Sequence, residues 1–435
     1  MEDLPVEVIG KILSKLGAVR DVVLASATCR KWLEAWRNHM HSLSFNSNDW
    51  PVYHDRLPGR LEIIITQIIF QTLGLRCLSI VMDDDDEFSA APVIAWLLYT
   101  RNSLSELCYN IRTTPNVNVL ERCGRHKLEI LTLAHNFIAG VEPSYMKFPQ
   151  LRSLSLSYVS ISALDLSLLL VVCPKLEVLR LVNNDISISD AHSSLELVSS
   201  SLKDVYIEDM RMDKVMLMAD NIEKLHLKDS TFEWFLLVGK GGLRILEIDD
   251  VCAFHFDFGE NTENLEVVDV SNFTILWAEF YRMISRAQNL RKLRLWCVEF
   301  EDEVVALETI AICFLRLRYL SLSYDLRDTM LHYGFQARSL SYDLRDIVLH
   351  YGFPRQSPLK NVVVLELGWT KINDLFIEWL SMLVERCPRL EKLIIYGALS
   401  RVVAHEECNV LARFTSSVVE LMRIYSHVDV VFSFD

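Results

Sequence analysis

Leu128-Glu-Ile-Leu-Thr-Leu-Ala-His-Asn-Phe-Ile138 decides how this chain is organised. Apolar residues fall at its first, fourth, sixth and eleventh places, with Asn136 at the ninth. The alternation over Ile130 to Ala134 is that of a strand with one buried face. One such unit cannot enclose its apolar side, but stacked copies can, so the pattern matters only if it recurs.

It recurs. Equivalent units begin at Leu75, Leu104, Leu128, Leu151, Leu176, Leu202, Ile222, Leu243, Leu265, Leu290, Leu317, Val362 and Leu390, and a first strand is legible at Leu43-Ser-Phe45. All but one of the spacings lie between 20 and 29 residues, the period of leucine-rich repeats. The expected fold is α/β: a solenoid with a curved parallel sheet on its concave face and helices or loops on its convex face. The exceptional spacing, 45 residues after Leu317, has a visible cause. Ser321–Phe335 (SLSYDLRDTMLHYGF) is nearly repeated by Ser339–Phe353 (SLSYDLRDIVLHYGF) at an offset of 18, and removing 18 leaves an ordinary repeat of 27. The second copy lacks part of its own strand, so this tandem duplication within 321–353 is expected to bulge from one repeat.

The returning segments differ. Helical spacing over Leu61–Thr72, over Phe280, Met283, Ile284 and Ala287, over Leu307, Ile310, Ala311 and Phe314, and over Phe376, Leu380, Leu383 and Val384 predicts convex helices. Units between 202 and 265 are too short for a full helix and are expected to return by loops or 3₁₀ turns. A helix through Val410, Leu411, Phe414, Val418, Leu421 and Met422, followed by alternation from Val428 to Phe434, predicts a closing helix and strand over 401–435.

The first forty residues follow another pattern. Val8, Ile9, Ile12, Leu13 and Leu16 have helical spacing and stop at Gly17; Asp21, a plausible N-cap, leads into Val22, Val23 and Leu24; Cys29-Arg30-Lys31-Trp32 opens a third run containing Trp36. Three short helices enclose little core, so this piece must cap the repeats or bind another protein. Leu4-Pro5, Ile12-Leu13, Leu16 and Cys29-Arg30-Lys31-Trp32 resemble an F-box. The junctions Cys173-Pro-Lys-Leu-Glu177 and Cys387-Pro-Arg-Leu-Glu391 resemble those of plant-type F-box proteins with leucine-rich repeats.

That resemblance implies a substrate receptor of an SCF-type ubiquitin ligase, in which residues 1–40 bind a Skp-type adaptor, and thereby a cullin–RING ligase, while repeats over 41–400 bind a target protein. The implied adaptor contacts are Leu4, Pro5, Val8, Ile12, Leu13, Leu16, Val22, Cys29 and Trp32, apolar anchors of the kind that fill a partner's groove. The other readings are a plain repeat scaffold whose first helices are only a cap, and a small-molecule receptor.

On the concave face the residues between the leucines form rows. Their charge runs in bands: Asp204 and Glu208; Lys224, His226 and Lys228; Glu247, Asp249 and Asp269; then Lys292 and Arg294 beside Trp296 and Tyr319. The last four are the candidate target-binding residues, because arginine and aromatic side chains dominate binding hot spots. A surface of mixed charge also suits any soluble solenoid.

Composition narrows the classes. A net charge of −14 disfavours a general nucleic-acid binder. The longest apolar run, Leu164–Val182, is broken by Asp165, Lys175, Glu177 and Arg180 and does not suit a membrane span. Ten cysteines without a CxxC pair, and a start without a secretory signal, fit reduced thiols in cytoplasm or nucleus, where the sequon at Asn272 would not be used. No metal spacing, phosphate loop or nucleophile motif occurs, so neither catalysis nor a cofactor is expected. The acidic run Asp83–Glu87 reads as a solvated loop.

Overall fold

The computed structural model describes residues 4–47, 58–82, 87–123, 126–144, 147–187, 194–259, 261–275, 277–300, 307–323, 358–371, 374–398 and 405–434. The duplication, from residue 324 onward, and Asp83–Asp86 lie outside the described residues. The chain divides into two compact units, Met1–Asp220 and Asn221–Asp435.

The first unit opens with helices α1 (Val6–Leu13), α2 (Val19–Ser26) and α3 (Arg30–His39). Ala18, not Asp21, stands at the start of α2; Asp21 lies inside the first turn, where its charge favours the positive end of the helix. At Gly10 the backbone of α1 meets α3 so closely that a Cβ would sit 2.6 Å from that of His39. Strands then follow at Ser42–Asn46, Cys77–Val81, Glu106–Asn110, Ile130–Ala134, Ser153–Ser157, Val178–Val182 and Asp204–Glu208. From Cys77 onward each starts two residues after the leucine that marks its unit. Each is parallel to the next, in unbroken register. The second and fourth residues of each, such as Leu131 and Leu133, are fully buried.

The second unit repeats this with Lys224–Val238, Ile245–Asp257, Val267–Ile275, Lys292–Phe300, Tyr319–Ser323, Val364–Lys371, Lys392–Ala398 and Asp429–Phe434, again all parallel neighbours. Helix His405–Ile424 precedes the last strand and packs Phe414 against Phe432.

From Ile130–Ala134 to Lys292–Phe300 the chain turns through a left-handed residue immediately after the fifth strand position: His135, Tyr158, Asn183 and Asp209 in the first unit, and Asp229, Asp250, Asn272 and Cys297 in the second. Five of these eight are Asn or Asp, the side chains that best tolerate positive φ. In the opening stretch His135 makes this turn, and the buried Asn136 then donates from Nδ2 to the carbonyl of Val117, 2.7 Å away.

The convex side corrects one expectation. The short repeats around 202–265 return not by loops or 3₁₀ turns but by further strand. Lys224–Val238 and Ile245–Asp257 stay in parallel register past their left-handed turns, as far as Leu236 opposite Asp257, and bury Phe232, Phe235 and Leu237. A strand advances about 3.3 Å per residue and a helix 1.5 Å, so a short segment spans the convex side only when extended. Where repeats are longer, helices form: Pro58–Gln71, Trp277–Ile284, Leu307–Cys313 and Asp374–Glu385. None among the described residues is long and apolar enough to cross a membrane.

Candidate functional site

Two surfaces carry the residues singled out in sequence. In α1, Ile9 and Leu13 are one helical turn apart and fully buried, as are Val19 and Val22 in α2. Leu13 and Val22, expected at an adaptor surface, are instead covered within the folded chain. The other expected residues have surface: Leu4 and Trp32 are half-buried, and Pro5, Val8, Ile12, Leu16 and Cys29 are exposed. Val8 and Ile12 lie one helical turn apart in α1, and Leu16 follows in the turn after the helix ends. Leu24 is 59% exposed and was missing from the expected set. Positions two apart on a helix point about 200° away from each other, so with Val22 inside, Leu24 must face out. Spacing alone carried that signal.

The second surface lies on the concave face of the second unit. Lys292, Arg294, Trp296 and Tyr319 come together there on two adjacent strands. The cations are not free, however. In sequence they form a basic band separate from Asp269, but the register sets Asp269 directly beside Arg294. Asp269 accepts from Lys292 Nζ at 2.9 Å and pairs with Arg294 Nη1 at 3.5 Å. The Arg294 guanidinium stands 3.6 Å from the Trp296 ring centre, and Lys292 Nζ lies 5.5 Å from that of Tyr319.

Trp296 reaches across its neighbours. Its indole N–H donates to the Ser321 hydroxyl, and its ring meets that of Tyr396 edge-on at 5.7 Å. Gly368 is required beneath it, since a Cβ there would lie 2.6 Å from the indole. Ser321 and Ser323 are fully buried, and Glu366 is only 6% exposed. Burial pushes the Glu366 carboxyl above its ordinary range; Arg294, Lys292 and a hydrogen bond with Tyr396 oppose that shift, and Asp269 adds to it. Asp269, Ser321, Glu366, Gly368 and Tyr396 were not among the expected residues, although all occupy between-leucine positions of neighbouring repeats.

Further along the row, His226 Nδ1 lies 2.8 Å from Glu247. That hydrogen bond holds the Glu247 carboxyl below its usual range, against some burial and with help from Lys292 and Lys224. Among the described residues no group of His, Cys, Asp and Glu could hold a metal ion. The cysteines of the two Cys-Pro junctions, Cys173 and Cys387, are buried thiols pushed up to about 12 by desolvation, and so are inert.

Comparison with known proteins agrees with this architecture. Residues 1–42 match the family model described as F-box-like. Residues 98–235 match the model of the leucine-rich repeats of FBD-associated F-box protein At5g56370. Over 437 aligned residues, all of both chains, the protein is 56% identical to F-box/LRR-repeat protein At1g67190 of Arabidopsis thaliana. It is also 22% identical to F-box protein At1g10780 of the same plant over 308 residues, 67% of this chain and 69% of that one. With three N-terminal helices, parallel repeats behind them and a full-length relative at that identity, the chain belongs to the F-box/leucine-rich-repeat family.

Proposed function

We propose that this protein is the substrate-recognition subunit of an SCF-type ubiquitin ligase. Helices α1–α3 dock a Skp-type adaptor, and the concave cluster around Trp296 meets the target. The observation that carries the reading is the division of apolar residues over α1, the turn after it and α2. Ile9, Leu13, Val19 and Val22 complete the helices' own core, while Val8, Ile12, Leu16 and Leu24 remain on the outside. Burying the surface that these side chains still expose in a partner's groove contributes on the order of 1 kcal/mol each. The chain itself would carry out no bond chemistry; it would raise the concentration of a target lysine near a recruited conjugating enzyme. In this reading the protein works in the cytoplasm or nucleus, where free cysteines stay reduced, and its partners are proteins rather than nucleic acid, in keeping with the acidic net charge.

Co-purification with a Skp-type adaptor tests the proposal. Ile12→Asp with Leu24→Asp should abolish the complex and leave the thermal midpoint nearly unchanged. Leu13→Ala should instead lower the midpoint. Undiminished adaptor binding by the double variant would leave the helices as a mere cap on a repeat scaffold.

A further inference from the structure

We draw no further inference here: the strongest candidate, the apolar patch that Ile63, Phe70, Leu98 and Tyr99 expose on helices Pro58–Gln71 and Ala90–Thr100 of the first unit, carries nothing, because nothing in the structure shows what covers it.

Discussion

Along the middle row of the concave strands, the first unit presents Ser44, Ser79, Cys108, Thr132 and Ser155 side by side before Arg180 and Tyr206. The same row of the second unit presents His226, Glu247, Asp269, Arg294, Ser321 and Glu366. Beneath both rows lies the same lattice of buried leucines. One backbone plan thus supports a surface of short neutral side chains and a surface of charged and aromatic ones. The difference teaches that the leucines set where side chains stand, and that the residues between them, once paired across strands, set what the surface can do.

The strongest way to break this comparison is to test the shared lattice. Leu154→Ala in the first unit and Leu246→Ala in the second remove equivalent, fully buried side chains and should each cost about 2–5 kcal/mol. Urea unfolding with a probe in each unit measures both; costs that differ widely would show that the two lattices are not equivalent.

Gly368→Ala should follow at about 1–3 kcal/mol, because the new methyl must displace the Trp296 ring. A shift in tryptophan emission should accompany it. Ser155→Ala, on the middle row of the first unit, should stay within about 0.5 kcal/mol.

Arg294→Ala strips Trp296 of its stacked cation and leaves Asp269 to Lys292 alone, for a loss of about 1–2 kcal/mol. Arg180→Ala, whose guanidinium is exposed and 5.9 Å from the Tyr206 ring centre, should change stability by less than about 0.5 kcal/mol. Thermal midpoints of the two variants rank them directly.

The smallest effect is one of pH. Glu366 has its folded pKa raised above the unfolded value, so the folded state holds the proton more tightly. Stability from this group is then lost as pH rises from the ordinary carboxylate range through the raised value. Glu366→Gln should be slightly stabilising near neutrality, with the gain vanishing in acid. Glu247 behaves in the opposite sense. Its folded pKa is lowered, so its contribution is present above the ordinary range and fades as pH falls through the lowered value. Glu247 is about half exposed, and Glu247→Gln should cost only a fraction of a kcal/mol near neutrality. Midpoints measured across the acidic range should show the two variants diverging from the parent in opposite directions.

Much of the fold was legible in the sequence, down to the two-residue offset between each marking leucine and its strand. The convex side of 202–265 was not, because a short return can be loop or strand and only its neighbours in the stack supply the hydrogen bonds that decide. The make-up of the concave cluster was half legible. Lys292, Arg294, Trp296 and Tyr319 were grouped by type and position, whereas their neighbours Asp269, Glu366, Gly368 and Tyr396 lie one to three repeats away. In α1 and α2 the same limit appeared at Leu13 and Val22, apolar residues that the helices turned inward.

From residue order alone came the period, the leucine rows, the N-terminal helices and the kinds of side chain set between the leucines. These are local and repetitive properties, in which each residue's burial depends on its own place in the unit. Which apolar residues are spare, which strand replaces a loop, and which acid neutralises which base were decided only in the folded chain. Such pairings depend on register between residues about twenty to thirty positions apart, and on a tryptophan long enough to cross the strands between them.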